Sequence, residues 1–290
     1  MQGITDKSAE KIPISFLVYL VFFLFVFFFF PRSNAFARVI TSEAAVVMDA
    51  STGEILYGKN SDSLLLPAST VKLMTAIIVM EKTDLSDTVT ISPKASHTPS
   101  LKSGFKKGDK VTIEALLYAA LLKSANDAAV ALSEAVAGSE DSFVFLMNQK
   151  AASIGAEKTR FINATGLPGS GQYITASDLS RIMRHVLNFP KLREILATPA
   201  AEVSTERGKV IRLRNTDKLL SYDEEVIGGK TGYTNGAKHC FVFAAERNKK
   251  TIIVSLLGSP SRRTLWKDAK ELADKGFQIM GGWESKDSNQ

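Results

Sequence analysis

Cysteine is nearly absent: the 290 residues hold one, Cys240. A disulfide within the chain is therefore excluded. Phe241, Val242 and Phe243 follow the lone thiol, so it reads as a small buried residue of a strand. Histidine is scarce as well. His97, His185 and His239 stand too far apart to form a metal motif, and they read as solvated or structural; neither a metal nor a cofactor is expected. Internal repeats are missing, and the only biased tract is a phenylalanine-rich N-terminus. Charged residues reach 23% and hydrophobic ones 45%, which excludes wholesale disorder and suffices for one large domain or two lobes sharing a core. The net charge of +6 suits an anionic wall polymer or a membrane surface. The basic residues are scattered rather than clustered, so nucleic acid is not an expected partner.

The N-terminus carries an export signature. Lys7 and Lys11 precede an apolar run from Ile12 to Phe30, and Ala35-Phe36-Ala37 supplies small residues at the −3 and −1 positions of a cleavage site. Residues 1–37 are thus expected to be a signal peptide or an N-terminal membrane anchor. The small-residue site favours cleavage, whereas the run exceeds the ~7–15 residues usual for a signal core. If retained, it would attach the chain to a membrane. Either outcome puts residues 38–290 outside the cytoplasm, in a periplasm or at the outer face of a bacterial cytoplasmic membrane.

Further along, Ala44–Asp49 reads as a short apolar strand, Ala50-Ser51-Thr52-Gly53 as a turn, and Glu54–Tyr57 as the start of a return strand. Pro67 stands where a helix start tolerates proline, with Ser69 in the first turn of an apolar-periodic segment reaching Lys82. Helical stretches are expected over 112–137, interrupted near 123–127, and over 140–154 and 175–188, the last capped by Ser177 or Asp178. From Val226 the texture changes to antiparallel strands, with a turn at 247–250, and a helix from about Arg263 to Lys275 closes the pattern. The order implies an α+β fold: an antiparallel sheet flanked by helices, with a helical second lobe inserted at roughly 80–200.

Three short segments carry chemistry. Ser69-Thr70-Val71-Lys72 sets a hydroxyl and an amine three residues apart, on one face of a helix. A neutral Lys72 could take the Ser69 proton in place of a histidine, provided burial or nearby cations lower its pKa. Ser8-Ala9-Glu10-Lys11 and Ser103-Gly104-Phe105-Lys106 match the same pattern, but the first lies in the export signal and the second in a polar loop. Ser124-Ala125-Asn126 is the only Ser-x-Asn; its hydroxyl can relay a proton and its amide can hold a substrate backbone. Lys230-Thr231-Gly232 offers a cation and a hydroxyl for a carboxylate, and a glycine that lets a substrate backbone approach.

In that order and spacing, the three segments resemble those of the low-molecular-weight penicillin-binding proteins, the serine-type D-alanyl-D-alanine carboxypeptidases. The resemblance runs from about Ala44 to Phe277. It includes Val47–Gly53, Pro67–Lys72, Ser124–Ala129, Phe161-Ile162-Asn163 to Gly166-Leu167, Thr175–Leu179 and Lys230–Ala237. It implies the penicillin-binding/β-lactamase-like transpeptidase fold and removal of the terminal D-Ala from peptidoglycan pentapeptides, which trims donors for cross-linking. By the same resemblance, Ser69 is acylated, Lys72 is the base and Ser124 assists proton transfer. Asn126 binds substrate backbone, Lys230 and Thr231 bind the terminal carboxylate, and the backbone N–H groups of Ser69 and Tyr233 form the oxyanion hole. An arginine after the last strand should help with the carboxylate; Arg262 and Arg263 both qualify. The implied partners are the peptidoglycan stem peptide and, as covalent inhibitors, β-lactams. The chain departs from many relatives in lacking a C-terminal β-domain with its amphipathic membrane helix, which weighs toward the N-terminal run as an anchor, and in carrying Ala125 where relatives often have glycine.

Other functions fit less well. A class A β-lactamase needs a glutamate-activated water, usually from Glu-x-x-x-Asn between the second and third motifs. No glutamate from Glu134 to Glu225 has Asn four residues on. A non-catalytic penicillin sensor would need a signalling segment, and neither end is long enough for one. A DD-endopeptidase that cuts cross-links shares every motif and stays open as the alternative.

Overall fold

Alternating apolar strands, each too hydrophobic to face water on both sides, dictate a sheet with helices on either face. The computed structural model describes residues 39–281; the export run and its small-residue site lie outside the described residues. Five antiparallel strands form the main sheet: β1 (Ala44–Asp49), β2 (Ile55–Lys59), β7 (Val226–Thr234), β8 (Lys238–Arg247) and β9 (Lys250–Ser259). Their order is β2-β1-β9-β8-β7, which leaves β7 at one edge.

Helix α1 (Lys72–Lys82) packs with α3 (Ile113–Leu122), α4 (Asn126–Ala137) and α5 (Glu140–Ser153). A short α2 (Pro93–His97) lies against α4. Helix α6 (Ala176–Val186) packs on β9 and β1, where Ser180 Oγ meets Ser255 Oγ at 2.8 Å in the buried interior. Helix α8 (Arg262–Ile279) covers the opposite face: Gly276 lies so close to Val47 that a Cβ there would stand 2.7 Å from the valine Cγ1. Val47 pairs with Val254, and Val46 with Ser255, so the two-residue period of the strands feeds both faces from the same sequence. Helix α7 (Pro190–Ala197) rests on β7. Of the span expected as a helical lobe, α6 and α7 therefore belong to the sheet.

The closing helix runs to Ile279, beyond the Lys275 expected, and starts with a capping box between Ser261 and Thr264. For α6 the N-cap is Thr175, whose hydroxyl accepts from the Asp178 N–H, and not Ser177 or Asp178. Two small sheets went unread in the sequence: β3 (Thr88–Thr90) with β4 (Lys110–Thr112), and β5 (Ala200–Ser204) with β6 (Val210–Arg214). Strands of three residues are too short for alternation to stand out, whereas Val210–Arg214 does alternate and could have been read.

Candidate active site

Ser69 does not sit in the first turn of an α-helix. It lies in a 3-10 turn, Ala68–Val71, and Lys72 is the first residue of α1. Side chains three apart eclipse one another in a 3-10 turn, which stacks Lys72 on Ser69 more closely than an α-helix would. The turn is tightly held. Ala68 adopts φ +48°, and the Thr70 hydroxyl donates to the Pro67 carbonyl at 2.7 Å. Two glycines press against it from opposite sides. A Cβ on Gly166 would fall 1.8 Å from the Ala68 oxygen, and one on Gly232 would fall 3.0 Å from the Ser69 nitrogen. Close backbone approach, rather than turn formation alone, is what these positions require.

Lys72 is fully buried. Its Nζ lies 3.0 Å from Ser69 Oγ, 2.8 Å from Asn126 Oδ1 and 2.6 Å from the Thr165 carbonyl. The last two are pure acceptors in this arrangement, so they take two N–H bonds. A neutral amine then has its lone pair left for the Ser69 hydroxyl. Burial drives the lysine pKa well below its ordinary value, the positive Lys230 lowers it further, and Asp127 opposes the shift.

Ser124 occupies the left-handed φ of +61° in the link between α3 and α4, and its Oγ accepts from Lys230 Nζ at 2.9 Å. Asn126 gives one Nδ2–H to the Pro99 carbonyl at 3.0 Å; with Oδ1 on Lys72, a single amide hydrogen stays available. Lys230 is also buried and donates to its neighbour's carbonyl, Thr231 O, at 2.8 Å. Burial lowers its pKa to about 7, with the nearby Asp217 carboxylate holding it up. The Thr231 hydroxyl bonds Thr216 Oγ1 at 2.7 Å. Tyr233 is exposed, and its ring lies 4.5 Å from that of His239.

Ser69, Ser124, Asn126, Thr231, Gly232 and Tyr233 all open into one cleft of about 1050 Å³. Arg262 lines it and Arg263 does not. Sequence reasoning therefore selected groups that the fold brings together from η-turn, helix link and sheet edge. Several it missed. The Thr165 carbonyl is aimed at Lys72 by a turn in which Asn163 Oδ1 accepts from the Thr165 and Gly166 N–H groups at 3.2 and 2.7 Å. An Asn three residues before a Gly is the signal that could have marked it. Asp217, buried with one carboxylate oxygen unpartnered, also lines the cleft, and burial raises its pKa to about 7. The Asp127 carboxylate accepts the Ala128 N–H in the first turn of α4 at 2.9 Å. It also takes the Ser103 N–H and hydroxyl, at 2.9 and 2.7 Å, and so pins the loop that leads into Asn126's partners. Cys240 is buried, and burial pushes its thiol up to about 12. Among the described residues no group of His, Cys, Asp and Glu could hold a metal ion.

The family model for D-alanyl-D-alanine carboxypeptidases matches residues 32–261. The chain belongs to that family of serine peptidases. The D-alanyl-D-alanine carboxypeptidase DacB2 of Mycobacterium tuberculosis is 35% identical over 242 residues, 81% of either chain. The D-alanyl-D-alanine carboxypeptidase DacF of Bacillus subtilis is 32% identical over 241 residues. That alignment spans 81% of this chain but only 62% of the Bacillus protein. The crystal structure of the Streptomyces K15 DD-transpeptidase superposes with a TM-score of 0.78, at 32% identity over 83% of this chain and 98% of that one. Other relatives are named D-alanyl-D-alanine endopeptidases. Membership fits the α+β fold and makes the chain a hydrolase that works through a serine.

Proposed function

We propose that the protein is a serine DD-carboxypeptidase that releases the terminal D-Ala of a peptidoglycan pentapeptide through an acyl-Ser69 intermediate. One observation supports this most: a fully buried lysine amine whose two fixed acceptors leave its lone pair for a serine hydroxyl 3.0 Å away. Ser69 Oγ attacks the carbonyl carbon of the penultimate D-Ala while its proton passes to Lys72. The oxygen of the tetrahedral intermediate lies against the Ser69 and Tyr233 N–H groups. The C–N bond then breaks, the leaving amine takes the proton that Lys72 had accepted, and free D-Ala departs. Water, deprotonated by the same amine, hydrolyses the ester and restores Ser69.

Lys230, Thr231 and Arg262 hold the terminal carboxylate, and Ser124 links Lys230 to the reacting centre. Edge strand β7 has no neighbouring strand on one side along Thr231–Tyr233, and an extended peptide can lie there as an added strand. β-Lactams, which present a strained amide to the same serine, act as covalent inhibitors. Export delivers the enzyme to this substrate, with residues 1–37 as signal or anchor; the mass of the exported chain tells the two apart. Among the described residues no helix is long and apolar enough to cross a membrane.

Labelling of the wild type and of Ser69→Ala by a fluorescent penicillin tests the nucleophile; equal labelling sinks the assignment. The names of several relatives favour a second reading, cleavage of cross-links. Separate incubation with monomeric pentapeptide and with cross-linked dimer distinguishes them: faster turnover of the pentapeptide is expected, and faster turnover of the dimer would make the enzyme an endopeptidase.

A further inference from the structure

A second cleft, of about 880 Å³, shares no lining residue with the first. Its walls come from the β1–β2 turn, α6, the start of α7 and the β8–β9 turn. Five cations line it, Arg181, Arg184, Arg193, Lys249 and Lys250, against one carboxylate, Glu246. Asp178, behind the wall, offsets Arg181 at 2.9 Å, and Asp49 lies near Arg184. His185 faces Glu81 at 3.4 Å.

The cations fall into two groups. Arg184 is fixed, donating to the Ala50 and Ser51 carbonyls at 2.8 and 2.7 Å, and Lys250 is fixed by the Met280 carbonyl at 2.6 Å. Gly53 makes room for Arg184, since a Cβ there would stand 3.0 Å from the guanidinium. Arg193 and Lys249, by contrast, make no side-chain hydrogen bond or ion pair among the described residues. Lys249 is presented by a tight turn in which it and Asn248 both take left-handed φ, +61° and +52°. Bonds to neutral carbonyls do not cancel positive charge: Lys250 keeps its own, and Arg184 is offset only from the side by Asp49.

We propose that this cleft binds a chain-like polyanion bearing phosphodiesters. A single carboxylate would satisfy only one or two of five separated cations; a strand with repeated charge can engage several at once. Arg193 keeps its whole guanidinium free among the described residues, and that fork matches phosphate oxygens in pairs. The concave shape fits a strand laid inside it better than a flat bilayer surface. The site is independent of the Ser69 chemistry.

The test uses the full-length chain in detergent solution and fluorescein-labelled inorganic polyphosphate, followed by anisotropy. The double variant Arg193→Glu/Lys249→Glu removes the two unpartnered cations and should weaken binding at least tenfold. Lys82→Glu/Lys270→Glu makes the same charge change on other surfaces and should weaken it less than threefold. Both variants should keep wild-type penicillin labelling of Ser69. Equal weakening by the two pairs would reduce the effect to net charge and overturn the proposal. Unlabelled poly(glycerol phosphate) should displace the probe better than polyglutamate, or than anionic phospholipid vesicles, at equal charge. Better displacement by polyglutamate would overturn the phosphate assignment, and better displacement by vesicles the strand-like ligand.

Discussion

Replacing Gly166 by alanine should cripple acylation of Ser69 although residue 166 bears no reacting group. Gly166 has φ +82°, and an added Cβ would stand 1.8 Å from the Ala68 oxygen and 2.4 Å from its carbon. Ordinary van der Waals contact lies near ~3.5 Å, so the two segments must part by roughly 1.5 Å. The displaced carbonyl belongs to the peptide that joins Ala68 to Ser69, so the nucleophile moves with it. A misplacement of about 1 Å can cost about 100-fold in rate. The backbone conformation adds about 1–2 kcal/mol of its own. Gly208 separates the two effects, since its φ is +79° and a Cβ there would meet nothing within 4 Å. Gly208→Ala should therefore lower Tm by a few degrees, at about 2–4 °C per kcal/mol for a domain of this size, and leave acylation unchanged. Gly166→Ala should slow labelling by a fluorescent penicillin about 100-fold. If Gly166→Ala labels within threefold of wild type, the packing of the 163–167 turn does not position Ser69.

Four further substitutions address the charges. Burial holds Asp217 up at about 7 from an ordinary 3.8, so between those values the native state binds more protons than the unfolded one and stability falls as pH rises. Asp217→Asn should flatten the decline of Tm between pH 4 and 7; an unchanged slope would remove Asp217 as its source. Arg262→Leu should lower kcat/KM on a peptide with a free carboxylate by about 10- to 100-fold, the worth of a charged hydrogen bond. Arg263→Leu, outside the cleft, should stay near wild type, and the reverse result would reassign the carboxylate site. Asp268 Oδ2 accepts from the N–H and hydroxyl of both Thr41 and Ser42 at 2.8–2.9 Å. Asp268→Ala should cost on the order of 3 kcal/mol by melting, with labelling of Ser69 intact.

The parts of the fold that were legible are those where local pattern and tertiary role agree. The β1–β2 hairpin, the strands after Val226 and the helices 113–122, 126–137 and 140–153 follow from periodicity, because each buries one well-defined face or is buried on both. Position in the architecture was less legible. Nothing in the amphipathic pattern of α6 says whether its apolar stripe meets other helices or a sheet. The Ser180–Ser255 contact, 75 residues apart, decides that. Capping was misread for a related reason: Thr175, Ser177 and Asp178 can all cap, and only the observed turn geometry selects Thr175.

The site shows the same division more sharply. Residue type and spacing single out Ser69, Lys72, Ser124 and Lys230, and the fold brings them together in hydrogen-bonded pairs. Burial and nearby cations are legible as what Lys72 needs, but the groups that supply them are not, because they are backbone atoms and residues distant in sequence. The Thr165 carbonyl carries no side-chain signature, yet together with Asn126 it occupies two of the amine's hydrogens and decides where the third valence points. Lys72 and Lys230 look in sequence like any other lysines. Only in the fold do both lose their water, so that each is driven toward neutrality and the positive Lys230 depresses Lys72 further. The two lysines are thereby given different tasks. In the proposed mechanism Asp217 sustains the charge of Lys230, which suits it to an anionic carboxylate, while at Lys72 the effect of Lys230 exceeds that of Asp127 and leaves this amine the one to accept a proton.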